Sequence, residues 1–167
     1  VVTSDSGFFP PARMDPSSFT VSVAPPVEAA LVAAGSTPER RVLEFTFETA
    51  SADVAKALGL ARHAEVLRVL RLNLADGEPF AMVTVWLAAE LGRHLSRAEV
   101  ETATFYDVLP LRGVELGRAV QHVGADIASA FDAKHLHVAR GAALLTAERV
   151  TFDRHGAPVL YSLHRYP

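Results

Sequence analysis

The chain has 167 residues and a formal net charge of −3, with 50% hydrophobic and 21% charged residues. That is the balance of one soluble globular domain, which at this length buries roughly 70% of its unfolded surface. Lysine occurs only at Lys56 and Lys134 and no basic run stands out, so the chain carries no electrostatic footprint for nucleic acid. Cysteine is absent, which excludes disulfides and thiolate chemistry. No window approaches the roughly 20 apolar residues of a membrane span, and no signal peptide opens the chain. The expectation is a cytoplasmic protein with no membrane partner.

In chain order, Val1 to Ser18 (VVTSDSGFFPPARMDPSS) is rich in Pro, Ser and Gly and reads as a linker or arm. VEAALVAAG, from Val27, predicts a short helix after Pro25 and Pro26, closed by Gly35. Arg40 to Thr49 alternates as a strand. SADVAKALGL then predicts a helix with Ser51 as N-cap, Asp53 in its first turn and Gly59 as its stop. VLRVLRLNLADGEPFAMV, Val66 to Val83, is a hairpin, because an Asp-Gly pair lies between two alternating apolar runs. TFYDVL predicts another helix with Thr104 as N-cap. ELGRAVQHVGADIA, Glu115 to Ala128, reads as a long bent strand with bulges at Gly117 and Gly124. SAFDAKHL is a short helix. ALLTAERVTF and APVLYSLHRY are two more strands, joined at Asp153 to Gly156 (DRHG). An antiparallel sheet with helices on one side follows, an α+β domain.

The first hairpin strand contains charge where burial is expected. Side chains alternate faces along a strand, so Leu67, Val69, Arg71 and Asn73 share one face and Val66, Arg68, Leu70, Leu72 and Leu74 the other. The aliphatic second face is expected to meet the helices. The first face is then either solvated or the lining of a pocket for a small polar ligand. In the last strand, Leu160, Ser162, His164 and Tyr166 share a parity and form a polar row.

From VEAALVAAG to LYSLHRY, the order of segments resembles the UTRA effector-binding domain of GntR-type transcription regulators, in the HutC/FarR subfamily. The resemblance is carried by Gly35 followed by Pro38, DVAKALGL, RLNLADGEPF, TFYDVL, GVELGRAVQHVGADIA and RVTFDRHGAPVLYSLHRY. It implies a chorismate-lyase-like fold, an antiparallel β-sheet with flanking helices. It also implies a boundary: residues 1–26 as wing remnant and interdomain linker, and residues 27–167 as the ligand-binding domain. A homodimer is implied, with DNA bound only through an N-terminal winged helix-turn-helix outside this chain.

The resemblance also implies a site. Where sugar-phosphate-responsive members carry an Arg-x-Arg pair, this chain has Arg71 and Asn73. Glu28 stands where a Ser or Thr often assists. Thr104 and Tyr106 match a Ser-x-Tyr at a helix start, and Tyr166 matches an aromatic near the end of the last strand. Val83 and Leu160 replace two glutamates that would hold sugar hydroxyls. The implied pocket is more apolar than that of an amino-sugar-phosphate sensor, and its ligand carries one anionic group met by Arg71 and Thr104. His164 joins this set as a wall residue on the parity of Ser162 and Tyr166.

Other constellations are weaker. His135 and His137 have no third or fourth metal ligand adjacent, so no metal site is assigned. Ser162 and His164 lie two apart on a strand, a spacing not expected to put a base on a nucleophile's oxygen, and no Gly-x-Ser-x-Gly elbow occurs. No phosphate loop or dinucleotide fingerprint appears, and no cofactor is expected. Trp86, with Met82, is read as core, and Arg149 and Arg154 as exposed or salt-bridged. Three functions stay open: a small-molecule-sensing regulatory module, a ligand-free dimerisation module, and a chorismate-lyase-like enzyme. The residues favour the first and a non-enzymatic role, because no general acid–base pair is read on the pocket face.

Overall fold

The structure, a computed structural model, describes residues 17–22 and 33–167. Its frame is a seven-stranded antiparallel sheet: β1 (Ser17–Ser22), β2 (Pro38–Thr49), β3 (Glu65–Ala75), β4 (Glu78–Ala88), β5 (Leu116–Ile127), β6 (Ala143–Asp153) and β7 (Pro158–Tyr166). The spatial order is β1-β5-β6-β7-β4-β3-β2, so β1 and β2 lie at opposite edges. Among the described residues, short helices accompany the sheet: α1 (Ala52–Ala57), α2 (Ala89–Gly92), α3 (Arg97–Thr102), α4 (Phe105–Val108) and α5 (Ala130–Leu136).

Local chemistry fixes the turns. Asp76 and Gly77 both have positive φ, 53° and 85°, which is the primed turn that suits a twisted two-strand ribbon. The Asp76 carboxylate also accepts from Thr37 N at 2.9 Å, stapling the start of β2 to this turn. At the second hairpin, Asp153 Oδ1 accepts from His155 N and Ala157 N, both at 2.8 Å, and Gly156 takes φ 86°. Ser51 caps α1 by accepting from Val54 N, as its position predicted, and Gly59 follows that helix at φ 62°. Of the two predicted bulges, the register shifts at Gly117, between Leu116 and Ala119, where a Cβ would meet Asp153 O at 2.7 Å. Gly124 pairs regularly with Thr146.

Helices cover both faces of the sheet, not one. On the Arg71 face, Leu67, Val69, Val83, Val85 and Leu87 pack with Leu95, Val100, Phe105, Val108 and Leu109 from the α2–α4 region. On the other face, Leu136 of α5 meets Leu70, Leu72 and Met82, while Val54 and Ala55 of α1 and Leu58 just after it cover Val66. The sheet is therefore sandwiched, and its central strands are apolar on both sides. α2 and α3 were absent from the sequence reading. The capping motif Ser96-x-x-Glu99 marks α3, with each side chain bonding the other's backbone N–H. β1 falls inside the segment read as linker and pairs with β5 from Ser17↔Val123 to Ser22↔Arg118. Of the helix expected from Val27, residues 27–32 and so Glu28 lie outside the described residues.

Trp86 lies on the face away from Arg71, stacked on Tyr161 at 5.3 Å, and donates to Glu48 at 3.2 Å. Arg68 shares that face and pairs with Glu44 at its solvated margin. Arg154 forms a surface ion pair with Glu115 at 2.6 Å.

Candidate functional site

The Arg71 face carries a cavity, so Arg71 and Asn73 do not lie on a solvated surface: they are 5% and 6% exposed. Sheet register brings distant residues to it, because residues directly opposite on antiparallel strands share a face. One cross-strand row runs Arg71, Val83, His164, Ala147 over β3, β4, β7 and β6. The next runs Val69, Val85, Ser162, Arg149, Gln121 and reaches β5. Thr104, Phe105 and Tyr106 close the space from the start of α4. The cavity volume is about 100 Å³, and one water needs roughly 10–15 Å³ on this measure, so it has room for roughly seven to ten non-hydrogen atoms.

Eight of the nine residues named from the sequence line this cavity: Arg71, Asn73, Val83, Thr104, Tyr106, Leu160, His164 and Tyr166. Phe80, Ala81, Val85, Phe105, Gln121, Arg149 and Ser162 complete its wall. Arg149 is the consequential addition, since the sequence reading placed it at the surface. The reason lies in a register shift between Thr151 and Phe152: Phe152 pairs with Pro158, yet Thr151 pairs with Leu160. That extra residue turns Arg149 toward Ser162 instead of Tyr161, and a one-residue slip exchanges the faces.

The two guanidinium groups play different parts. Arg71 donates through Nη1 to Val100 O at 2.9 Å and to Ala103 O at 3.4 Å, the carbonyls that end α3. Its charge also lies 4.9 Å from the centre of the Phe105 ring. It thus ties the helical layer to the sheet. Arg149 donates through Nε to Gln121 Oε1 at 2.8 Å and through Nη1 to the Tyr106 hydroxyl at 3.2 Å. The same hydroxyl lies 3.0 Å from Thr151 Oγ1, on a fully buried threonine. Among the described residues no carboxylate pairs with Arg149.

Thr104 lines the cavity, but its hydroxyl is committed to starting α4. It donates to Asp107 Oδ2 at 2.6 Å and accepts from Asp107 N at 3.2 Å, while Thr104 N donates to the same carboxylate at 2.9 Å. The Thr104 hydroxyl, followed by its backbone N–H, holds the Asp107 carboxyl below its ordinary range and so ionised at neutral pH.

His164 Nε2 is 2.9 Å from Ser162 Oγ, and Nδ1 is 3.3 Å from the Tyr166 hydroxyl. The expectation that Ser162 and His164 are too awkwardly spaced for such contact is therefore wrong. Both side chains point to one face of β7, where the long imidazole reaches back over two residues. Desolvation first, then the charges of Arg149 and Arg71, push the His164 pKa down to about 3. The ring is neutral near pH 7, with one donor and one acceptor nitrogen. A base this weak does not take a serine proton efficiently, since a general base works best with a pKa near the operating pH. The arrangement suits hydrogen bonding to a ligand better than nucleophilic catalysis.

The two histidines set aside as a metal pair go different ways. His135 Nδ1 bonds Phe131 O at 2.9 Å, and His137 ends α5 at φ 54° and sits 3.5 Å from Glu78. Among the described residues no three His, Asp or Glu side chains converge as a metal site. Nor is any helix among them long and apolar enough to cross a membrane.

Comparison with known proteins gives this architecture a family. The UTRA domain model matches residues 33–167. A solved protein from Streptomyces coelicolor, provisionally described as a transcriptional regulator, is 36% identical, with a TM-score of 0.73 over 79% of this chain and 87% of that one. A GntR-family transcriptional regulator from Enterococcus faecalis V583 is 26% identical, with a TM-score of 0.71 over 76% of this chain and 91% of that one. The effector domain of PhnF from Mycobacterium smegmatis shares the fold at 23% identity and a TM-score of 0.76, covering 83% and 85% of the two chains. Among curated proteins, the HTH-type transcriptional repressor NagR of Bacillus subtilis (strain 168) is 22% identical over 73% of this chain and 50% of its own length. The chain spans about half the length of the curated relatives it matches. With its antiparallel sheet, flanking helices and lined cavity, the chain belongs to the UTRA domain family.

Proposed function

We propose that this chain is the effector-binding and dimerisation domain of a GntR-type regulator of the HutC subfamily. A small molecule seated in the cavity shifts a homodimer between two arrangements. That shift controls how a winged helix-turn-helix, N-terminal to this domain and outside this chain, holds DNA. The size of the response equals the difference in the effector's affinity for the two arrangements. The role is regulatory and cytoplasmic, with no enzymatic step.

The observation that carries this reading is the cavity between α4 and strands β3 to β7, lined by two guanidinium groups, a neutral imidazole and an apolar floor. Small-molecule sites have this character: a mostly apolar concavity with a few placed polar groups. The cavity also joins layers. Tyr106 and Phe105 belong to the helical layer, Gln121 to β5, and β5 pairs with β1, the strand nearest the N-terminal side.

The test is a thermal-shift panel on this chain, with glucosamine 6-phosphate, glucosamine, phenylacetate, hexanoate and their amides. Sedimentation velocity runs alongside. A ligand at a hundred times its dissociation constant stabilises by about 2.7 kcal/mol, which is roughly 5–11 °C for a domain of this size. The expected result is a dimer whose melting temperature rises with at least one compound. A chain that melts at the same temperature with every compound is the ligand-free dimerisation module instead. A monomer at micromolar concentration removes the dimerisation role.

A further inference from the structure

We propose that Arg149, not Arg71, anchors the effector, and that the effector is a small monocarboxylate with an apolar body of about benzene-ring size. This rests on the reading of the cavity as an effector site. It departs from that reading's starting point, in which the anion is met at Arg71 and Thr104.

The first argument is what each cation is already doing. Arg71 is spent on the carbonyls of Val100 and Ala103 and on the Phe105 ring, so removing it from those groups would loosen α3 and α4 from the sheet. Among the described residues Arg149 has only neutral partners, Gln121 and Tyr106. Those bonds use two of its five N–H donors. A half-buried cation with no counter-charge is a poor arrangement on its own and a good one for a planar, bidentate carboxylate. Gln121 and Tyr106 hold the guanidinium in place before the ligand arrives, which limits the ordering cost of binding.

The second argument concerns the anion's charge. Asp107, ionised, sits directly behind Thr104 and takes up its hydroxyl and N–H. A phosphate dianion at that end of the cavity would find the Thr104 hydroxyl and N–H already given to Asp107. The Arg149 end has one guanidinium, the neutral His164 and the Ser162 hydroxyl, which fit a single negative charge.

The body of the ligand follows from the rest of the wall. Beside Asn73 and Tyr166, that remainder is Val83, Val85, Leu160, Ala81, Phe80 and Phe105, which offer no side-chain partners for hydroxyl groups. Burying unpaired hydroxyls against such a surface is costly, so sugars are disfavoured. The volume admits roughly seven to ten non-hydrogen atoms, which is the size of benzoate, phenylacetate or hexanoate.

The experiment is an NMR titration of this chain with benzoate, phenylacetate and hexanoate, each against its amide, and with glucosamine 6-phosphate. It is repeated on Arg149→Gln, Arg149→Lys and Arg71→Lys. At least one acid should bind about tenfold or more tightly than its amide. Arg149→Gln should bring acid and amide to similar affinity, with Arg149→Lys between. Arg71→Lys should weaken acid and amide alike and keep the preference. Unchanged amide-dispersion spectra and melting confirm that the Arg149 variants are folded.

An amide that binds as well as its acid, or a tighter glucosamine 6-phosphate, overturns the monocarboxylate. A preference that survives in Arg149→Gln and disappears in Arg71→Lys overturns the anchor. If none of the acids shifts a resonance, the ligand class is wrong. A thermal-shift response to another compound then shows that the sensor reading itself still stands.

Discussion

Acidifying this domain tests whether His164 is held neutral in the folded state. The unfolded ring has a pKa of about 6.5, whereas the folded one lies at about 3. Below pH 6.5 the unfolded chain takes a proton that the native chain refuses, so stability must fall as pH falls. The contribution is intact above pH 6.5 and drains away down to about pH 3. Between pH 6.5 and pH 4 the interval is 2.5 units, and at roughly 1.4 kcal/mol per unit the loss is roughly 3 kcal/mol. Burial also raises the Glu148 carboxyl and lowers the His122 ring from their ordinary values, so the slope of one protein is not diagnostic. The difference between wild type and His164→Gln is. Glutamine keeps a donor and an acceptor for Ser162 and Tyr166 without the titration. Urea denaturation at half-unit intervals from pH 7 to pH 4 should show wild type losing roughly 3 kcal/mol more than the variant. Parallel stability curves would refute the claim that desolvation and the two guanidiniums suppress protonation.

Two further outcomes follow from packing and capping. Gly92 of α2 faces β3, where an added Cβ would stand 2.5 Å from Leu67 Cβ; Gly92→Ala should therefore destabilise by about 1–3 kcal/mol in chemical denaturation, as overpacking does. Asp107→Ala removes one half of the reciprocal bonds with Thr104 and should cost about 1 kcal/mol. Combining it with Thr104→Ala should cost less than the sum, because the two side chains share the hydroxyl–carboxylate bond while each loses its own bond to a backbone N–H separately.

The turns and caps were legible because they depend on a few adjacent residues. Asp76-Gly77, Asp153 to Gly156, Ser51 and Thr104 all act within four positions of themselves. Six of the seven strands were legible for the same reason, through alternation, whereas β1 fell in a segment read as linker. What escaped depends on pairing. Part of the cover on the Arg71 face comes from α2 and α3, two helices of four and six residues, too short to show a periodic stripe. Only Ser96 and Glu99 announced the second of them.

The site divides in the same way. Parity within β3 and β7 grouped Arg71 with Asn73 and Ser162 with His164 and Tyr166. Arg149 was out of reach because one inserted residue beyond Thr151 decides which face it takes, and that insertion leaves no mark on local composition. The contact of Ser162 with His164 was missed for a simpler reason. Strand spacing describes where side chains start, whereas an imidazole can lean back along the strand.

The placement of β1 has a consequence for how the molecule assembles itself. Phe19 pairs with Gln121, a separation of about 100 positions, while β3 meets β4 and β6 meets β7 across turns of a few residues. Chain closure over a long span is entropically costly and slow relative to local pairing. The two hairpins are therefore expected to form before β1 pairs with β5. The join between β1 and β5 thus closes the longest span of chain among the described strand pairs, and the Gln121 that it borders holds Arg149 in place.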